Sequence, residues 1–293
     1  MMSFPPPRRC GPCFRLPKTW QDAVGQAVFV FGGVVLLWYE LGHILSSYYL
    51  HLNGNGRLTS EEESEVMIQY VVAIYFAINI YGNYYKIVTT DTSKDRYMFM
   101  SSSLMPEGWR YCAECDLNLP PRSHHCKVCN VCILKRDHHC WFTGCCIGYF
   151  NHRYYIAMVT HIVAAALYCN IYNLEFVVTV KGHLSLWKFL SYLGPHFGLI
   201  FGYYGFYTFF ITTMTTVGSV LFLIFTWLLY IQMEQLWYGQ TKHERKKRIK
   251  KYNLGFLHTM RECLGTCWYL VFLFPWLPSP LPGSGTSFKL KSD

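Results

Sequence analysis

The residues of this chain that could do chemistry are concentrated between Cys112 and Cys146. Eight of its 13 cysteines and four of its 12 histidines fall in this stretch. They are Cys112, Cys115, His124, His125, Cys126, Cys129, Cys132, His138, His139, Cys140, Cys145 and Cys146. Thiols and imidazoles bind zinc, and a thiol beside an imidazole is also the basis of nucleophilic catalysis. The stretch therefore predicts a metal site, a reactive thiol, or both.

The spacing of the cysteines favours zinc. Cys112 and Cys115 form one CxxC pair, and Cys126, Cys129 and Cys132 follow at the same interval. A structural zinc site is tetrahedral and needs four ligands, so the thiols and imidazoles of the stretch suffice for two ions. The odd cysteine total and the crowding argue against disulfides and indicate a reducing compartment. Spacing alone does not say which ligands share an ion, and it leaves some of them over.

Four consecutive residues suggest what the remaining groups do. Asp137, His138, His139 and Cys140 place a carboxylate, two imidazoles and a thiol side by side. One histidine can bind metal while the other acts as a base for Cys140, and a carboxylate commonly orients such a base. The alternative is that Cys140 is one more zinc ligand. The residue pattern by itself leaves both interpretations open.

The elements that must position this stretch are membrane helices. Hydrophobic residues make up 52% of the sequence and charged residues only 15%, and Phe189–Met233 contains no Asp, Glu, Lys or Arg. A span needs about 20 mostly apolar residues. We therefore predict four spans, at about Val24–Leu50, Val66–Val88, Tyr154–Val180 and Tyr207–Met233. A fifth span before the last one is the alternative, but Gly194 and Pro195 favour an interfacial or re-entrant loop there.

The distribution of basic residues predicts the orientation. Lys and Arg number four in the N-terminal tail, eight in residues 89–153 and ten in 234–293, whereas 51–65 has only Arg57 among four glutamates. Under the positive-inside rule, both termini and the Cys/His loop face the cytosol. We interpret the net charge of +9 in this way and expect no nucleic-acid partner.

Several flanking segments carry weaker signals. Glu40 and Glu175 fall within spans, where an acid is either functional or near a luminal end, and we favour the second interpretation. The basic run 242–251 suits anionic headgroups, a coenzyme's phosphates or simply the orientation signal. Residues 263–277 are apolar but too short to span, so we expect them on the membrane or against the spans. We expect 280–293 to be disordered.

The predicted organisation has five parts. The N-terminal part is expected to be an unstructured tail without a cleaved signal peptide. It contains a lone CxxC pair, Cys10 and Cys13. The parts are the tail 1–23, the helices of 24–88, the cytosolic cysteine-rich catalytic domain 89–153, the helices of 154–233, and a cytosolic C-terminal region 234–293 with a basic cluster and a membrane-associated segment.

The sequence resembles the DHHC family of protein S-acyltransferases, or palmitoyltransferases, over nearly its whole length. The resemblance is carried by Cys112-x2-Cys115, Pro120-Pro121-Arg122-Ser123-His124-His125-Cys126, Cys129, Cys132, the tetrad Asp137–Cys140, Cys146-Ile147-Gly148 and Asn151. It implies an all-α polytopic membrane protein with four transmembrane helices and a cytosolic, double-zinc, cysteine-rich domain between helices 2 and 3.

The resemblance also implies the site. One structural zinc would bind Cys112, Cys115, His125 and Cys132, and the other Cys126, Cys129, His139 and Cys146. Cys140 would take a long-chain acyl group from acyl-CoA, such as palmitoyl-CoA, and pass it to cytosolic cysteines of membrane-associated proteins. His138 would be the general base and Asp137 would orient it. The basic residues Lys135, Arg136 and Arg153 are candidates for the phosphates of the coenzyme.

Departures from the family pattern motivate an alternative. The segment after the tetrad reads Trp141-Phe142-Thr143-Gly144-Cys145, and the motif after the fourth span reads Thr241-Lys242-His243-Glu244. A catalytically weak or silent membrane scaffold, whose zinc loop binds partners, is therefore the second interpretation. A RING-like ubiquitin-ligase module fits the spacing poorly. We expect an endomembrane location, in the endoplasmic reticulum or Golgi or at the plasma membrane.

Overall fold

The structure is a computed structural model, and it describes residues 17–45, 59–93, 105–181 and 194–291. The expectations for residues 1–16, with Cys10 and Cys13, and for much of the two loops 51–65 and 181–206 lie outside the described residues.

Four long helices dominate the described part of the chain. They are α1, Trp20–Trp38 with a π-helical continuation Tyr39–Leu45; α2, Ser60–Thr89; α3, His152–Lys181; and α5, Phe206–Tyr238. Their segments Trp20–Ile44, Ser60–Thr89, His152–Val178 and Phe206–Tyr238 are long and apolar enough to cross a membrane. The number matches the four predicted spans, and the chain is a membrane protein.

The observed start of α2 differs from the predicted one, and the capping of the helix explains the difference. Hydropathy predicts a start near Val66, but the helix begins at Ser60. Thr59 caps it: its hydroxyl accepts from the Glu62 backbone N–H at 3.4 Å, and the Glu62 carboxylate accepts from the Thr59 N–H at 2.7 Å. This reciprocal capping box satisfies the free donors of the first turn. The polar first turns therefore belong to the helix although they are not apolar.

The cysteine-rich segment folds as three short antiparallel hairpins, so the prediction of an all-α fold was incomplete. The strands are β1 (Arg110–Cys112) with β2 (Leu117–Leu119), β3 (His124–Cys126) with β4 (Val131–Ile133), and β5 (His138–Cys140) with β6 (Cys145–Ile147). Asp116, Asn130 and Gly144 immediately precede the second strands and have φ of 53°, 52° and 59°. Asp, Asn and Gly tolerate this left-handed conformation, which reverses the chain.

The chain divides into two compact units. One comprises Met1–Phe29, Tyr81–Met158 and Ile231–Asp293, and it contains the hairpins. The other comprises Val30–Ile80 and Val159–Tyr230. The second unit has its own core of buried side chains, made by Tyr39, Ile44, Phe176, Val177 and Ile211.

Glu40, an acid within the first of the long helices, bonds to a polar side chain of this second unit. The Glu40 carboxylate accepts a hydrogen bond from the Asn173 side-chain amide at 2.5 Å. An acid partly removed from water is tolerated when a polar group satisfies it. This contact accounts for Glu40 by packing within the helices.

In the first unit, the C-terminal segment packs on the ends of the long helices. Short helices α6 (Lys242–Lys246) and α7 (Phe256–Leu264) are followed by a 3-10 helix, Trp268–Phe272. Another short helix, α4 (Pro195–Ile200), precedes α5 in the other unit. The core of the first unit comprises Ile156, Ala157, Leu236, Met260, Cys263, Leu264 and Val271. The apolar run predicted to lie on the membrane or against the spans is thus packed against α3 and α5.

Arg122 ties the hairpins to the C-terminal region. Its guanidinium donates to both carboxylate oxygens of Glu244, at 2.9 and 2.8 Å, and to the Gly239 carbonyl at 2.8 Å. It also lies over the rings of Tyr252 and Phe288, at 4.4 and 4.9 Å from the ring centroids. Bidentate pairing and stacking are the interactions in which arginine differs from lysine.

The segment expected to be disordered is therefore ordered up to residue 291. Phe288 contacts Arg122, and the Lys291 N–H donates to the Lys251 carbonyl at 2.8 Å. Gly283 donates to the Tyr149 hydroxyl at 3.1 Å. Composition predicted disorder because glycine, serine and proline dominate here, but one aromatic ring and a few backbone hydrogen bonds hold the segment.

We predict that Arg122→Met destabilises the protein by about 3–5 kcal/mol, because it leaves the Glu244 carboxylate buried without its counter-ion. Thermal unfolding of the full-length protein in detergent measures this. The matched control is Arg245→Met, whose ion pair with Glu234 is 39% and 28% exposed and should contribute at most about 1 kcal/mol. Equal losses in the two variants would contradict the role of Arg122.

Candidate metal centres and active site

The hairpins assemble two tetrads of Cys and His. The first tetrad is Cys112, Cys115, His125 and Cys132, and the second tetrad is Cys126, Cys129, His139 and Cys146. Within each, the potential ligand atoms lie within 4.8 Å of one another. The grouping is the same as the one that the resemblance implies. Each tetrad could hold a metal ion.

The distances in the second tetrad suit a tetrahedral metal. The Nδ1 atom of His139 lies 3.8, 3.3 and 3.7 Å from the sulfurs of Cys126, Cys129 and Cys146. The Cys129 and Cys146 sulfurs are 3.8 Å apart. Bonds of about 2.3 Å to sulfur and 2.0 Å to nitrogen place neighbouring ligands roughly 3.5–3.8 Å apart. The donor set and spacing therefore fit zinc.

Each tetrad joins two successive hairpins. The CxxC turn of one hairpin supplies two thiols, and a cross-strand His/Cys pair of the next hairpin supplies the rest. That pair is His125 opposite Cys132 for the first tetrad and His139 opposite Cys146 for the second. Since residues opposite each other in an antiparallel pair have side chains on one face, each hairpin presents its two ligands together.

The third hairpin repeats the second but lacks one ligand. Residues 124–133 read HHCKVCNVCI and residues 138–147 read HHCWFTGCCI. In this repeat Cys140 occupies the position of Cys126, and Thr143 occupies that of Cys129. The last hairpin thus has a CxxT turn where the others have CxxC, so Cys140 has no partner cysteine at that position. This repeat, visible in the sequence, explains structurally why Cys140 belongs to neither tetrad.

Cys140 instead interacts with His138 and Thr143. Its side chain is only 5% exposed, and burial alone would raise the pKa of the thiol, but the interactions with His138 and Thr143 lower it. Burial likewise opposes protonation of His138, yet Asp137 and Cys140 raise the pKa of His138 to about 9. The group therefore favours a thiolate beside an imidazolium, which is the reactive form of a cysteine nucleophile.

Asp137 is a fully buried carboxylate surrounded by donors. Its Oδ2 accepts from His138 Nδ1 at 2.8 Å and from the Gln232 amide at 3.2 Å, and its Oδ1 accepts from the Lys242 backbone N–H at 2.7 Å. Burial disfavours the charge, but the hydrogen bond from His138 and the other nearby groups hold the pKa of Asp137 well below its usual range. The bond to Nδ1 leaves His138 Nε2 for the Cys140 thiol. The ring of Tyr155 packs edge-on against His138, at 5.0 Å.

The departures noted in the sequence have structural roles. Lys242 takes part through its backbone N–H, so its side chain does not matter for the contact with Asp137. Thr241 and Glu244 form a capping box at the start of α6. In the segment that follows the Asp137–Cys140 motif, Trp141 is 65% exposed while Thr143 is completely buried.

The three residues predicted to meet the coenzyme differ in their surroundings. Lys135 is buried and its amine lies 2.5 Å from the Glu262 carboxylate. The Arg153 guanidinium donates to the Ser279 carbonyl and to the Tyr154 hydroxyl. Arg136 is partly buried and lies 3.7 Å from the Cys126 sulfur. Their assignment to a coenzyme stays a prediction.

The first helix contributes a residue that the sequence analysis missed. Asp22 is 1% exposed, and its Oδ1 accepts from His139 Nε2 at 2.9 Å, while His139 Nδ1 faces the thiols of the second tetrad. Such carboxylate–histidine contacts fix the orientation of a metal-binding imidazole. The only signal in the sequence was an acid at the start of an apolar span.

Other contacts bring α1 close to the third hairpin. The Gln26 amide donates to the Thr143 carbonyl at 2.8 Å. A Cβ at Gly25 would lie 2.6 Å from the Trp141 carbonyl oxygen, and one at Gly144 would lie 2.6 Å from the Gln26 amide nitrogen. The two glycines therefore permit this approach, and Gly144 also needs its positive φ.

Comparison with known proteins agrees with this geometry. Residues 105–249 match the DHHC palmitoyltransferase family. The chain is similar to probable palmitoyltransferase ZDHHC24 of Danio rerio, at 36% identity over 223 residues, covering 75% of each chain. It is also similar to the Homo sapiens protein of that name, at 32% identity over 227 residues, covering 77% of this chain and 80% of the relative.

These matches and the buried thiol, imidazole and carboxylate place the chain among membrane-bound enzymes that transfer acyl groups to protein thiols. It belongs to the DHHC palmitoyltransferase family, which confirms the resemblance carried by its motifs.

We predict that Asp22→Ala weakens metal binding at the second tetrad about 10- to 100-fold, because His139 loses the contact that orients it. Titration of the purified protein with a chromophoric chelator should then remove one metal ion per chain at concentrations that leave the wild type fully loaded. Gln26→Ala, one turn further along α1, is the control and should leave metal binding unchanged. Wild-type affinity in Asp22→Ala would contradict this role.

Proposed function

We propose that the chain transfers a long-chain acyl group from acyl-CoA, typically palmitoyl-CoA, to cysteine thiols of membrane-associated proteins through an acyl-Cys140 thioester. The observation that carries this proposal is the hydrogen-bonded series from Asp137 through His138 to Cys140. Cys140 lies on the third hairpin and belongs to neither Cys/His tetrad. Membership of the family supports the same acyl transfer.

The proposed first step forms the acyl-enzyme. The Cys140 thiolate attacks the carbonyl carbon of the acyl-CoA thioester, and its proton is held on His138. The carbon–sulfur bond to the coenzyme breaks, and the coenzyme thiol leaves with the proton from His138. Asp137 keeps the proton on Nδ1 of His138 and so leaves Nε2 facing the reaction, as a carboxylate does for a catalytic histidine.

The second step returns the enzyme to its starting state. A thiol of the substrate protein gives its proton to His138 and attacks the acyl carbon on Cys140. The new thioester forms on the substrate and the carbon–sulfur bond to Cys140 breaks. Cys140 leaves as a thiolate, which either stays paired with protonated His138 or takes the proton back. Because one thioester replaces another in each step, no energy source or oxidant is required.

We assign a structural role to zinc bound by the two tetrads. The ligands are closed sets of four, without an open position for a reactant, which is typical of structural zinc. The first tetrad would hold the first two hairpins together, and the second tetrad would hold Cys126 and Cys129 against His139, beside Cys140. Metal bound there would therefore supply rigidity rather than chemistry.

The membrane helices suit the acyl chain. Each CH₂ group left in water forgoes about 0.8 kcal/mol of favourable transfer. Four apolar helices in a bilayer offer the chain an apolar environment, and a site at the membrane surface would also meet cysteines of membrane-bound substrates. We propose, from the Lys and Arg distribution, that both termini and this site face the cytosol of an endomembrane compartment.

Three cations near the hairpins, Arg110, Arg136 and Lys247, suit the phosphates of the coenzyme, and two neutral histidines lie beside them. The His124 and His243 rings lie 4.3 Å apart, and the Arg110 guanidinium lies 2.6 Å from His124 Nδ1. Burial lowers the pKa of His124 to about 3, and the nearby charges of Arg110, Arg136 and Lys247 contribute to this shift. Such convergence of positive charge is favourable once an anion is bound.

The acyl-enzyme is tested with labelled palmitoyl-CoA and purified full-length protein in detergent. We expect a hydroxylamine-sensitive label on the wild type and none on Cys140→Ala, because the alanine has no thiol to accept the acyl group. Metal content should be two ions per chain in both. Absence of label on the wild type would favour the silent scaffold, and loss of metal in Cys140→Ala would make Cys140 a ligand.

The coenzyme contacts are tested by Lys247→Gln. Removing one exposed charge should raise KM for palmitoyl-CoA about two- to fivefold and leave kcat unchanged, in keeping with the modest strength of exposed ion pairs. Arg261→Gln, an exposed residue on α7 with the same change of charge, is the matched control. An equal rise of KM in both variants would show that net charge, and not this group, determines the effect.

A further inference from the structure

We propose that Gln232, His152 and Cys263 form a positioning chain that holds the Asp137 carboxylate in place for His138. The inference rests on the proposed function of Asp137, and it adds three residues that lie outside the three hairpins. Gln232 lies on α5, His152 is the first residue of α3, and Cys263 lies on α7.

The contacts run continuously from the catalytic group into the core. The Gln232 Nε2 atom is 3.2 Å from Asp137 Oδ2, and the Gln232 Oε1 atom is 2.7 Å from His152 Nε2. The other imidazole nitrogen, His152 Nδ1, lies 3.4 Å from the Cys263 sulfur. All four side chains are buried, with exposures of 3–5%. Buried polar networks of this kind are specific because each unpaired member would be costly.

The chemistry of Asp137 determines the direction of every hydrogen bond in the chain. A carboxylate only accepts, so Gln232 must turn its NH₂ group towards Asp137 and its carbonyl oxygen towards His152. His152 must therefore carry a proton on Nε2. The amide would otherwise be free to turn over and place its oxygen against the carboxylate, which would repel it.

Cys263 stabilises the required form of His152. When its S–H donates to Nδ1, the neutral imidazole has its proton on Nε2; when the thiol is ionised, the imidazolium carries protons on both nitrogens. Either state gives Gln232 the donor that it needs. Burial would raise the pKa of the Cys263 thiol, but His152 lowers it, so the two groups interact strongly. Cys263 thereby acts on Asp137 through two intervening side chains.

The first test removes the donor to Asp137. Gln232→Leu should slow the acylation of Cys140 about tenfold or more, the effect of losing a hydrogen bond to a buried charge. KM for palmitoyl-CoA and the content of two metal ions should be unchanged, because Gln232 is buried and its side-chain amide bonds to Asp137 and His152, which are not tetrad ligands. The matched control is Gln235→Leu, a buried glutamine on the same helix whose side-chain amide has no hydrogen-bond partner among the described residues.

The second test separates positioning from packing at Cys263. Cys263→Ser keeps a donor to His152 Nδ1 and should acylate at nearly the wild-type rate, whereas Cys263→Ala should be slowed. The double variant Gln232→Leu with Cys263→Ala should be no slower than Gln232→Leu alone, because residues acting through one chain are not additive. Equal rates for the serine and alanine variants, or additive losses in the double variant, would overturn the proposal.

The outcome can be distinguished from failure of the proposed function. If the wild type forms the acyl-enzyme and Gln232→Leu forms it equally fast, the positioning chain is refuted and the acyltransferase mechanism stands. If the wild type forms none, the mechanism fails, and the rate at which iodoacetamide alkylates Cys140 decides the positioning chain. That rate should fall in Gln232→Leu and Cys263→Ala and stay unchanged in Cys263→Ser and Gln235→Leu; any other pattern refutes the chain.

Discussion

The structure of the site depends on how one hairpin is attached to the next. The CxxC turn of each of the first two hairpins meets a cross-strand His/Cys pair of the following one. Hairpins of three residues per strand bury few apolar side chains besides the ligand cysteines, so ligand sets that share a metal ion are what can hold them in sequence. The chain of hairpins ends at Cys140, where Thr143 replaces the second cysteine of the turn. A structural repeat thereby produces a free thiol at a rigid position.

The rest of the site is provided by elements distant in sequence. Asp22 on α1 orients a ligand of the second tetrad, and the Lys242 backbone and Gln232 complete the donors of Asp137. Arg122 joins the second hairpin to Glu244 and Phe288. The hairpins are thus held from several sides, and the precision of a catalytic group depends on such supporting contacts.

Two of the departures from the family pattern preserve the contacts of the site. Lys242 acts through its backbone N–H, which any residue except proline supplies. Gly144 has the positive φ that the turn requires and leaves space for Gln26. The silent-scaffold interpretation arose from these departures, and the buried series Asp137, His138 and Cys140 is complete in spite of them.

The sequence by itself determined the family, the number of membrane helices, the types of metal ligand and the Asp-His-His-Cys motif at 137–140. It could do so because hydropathy over 20 residues and short-range spacing are local properties. It did not reveal that residues 280–291 are ordered, that α2 begins at Ser60, or that the cysteine-rich segment consists of β-hairpins. Only the tertiary structure brought Asp22, Gln232 and Cys263 to the site. Each is a single residue outside any recognisable motif, and its partner is defined by how helices pack around the hairpins. Spacing along the chain does not encode that packing.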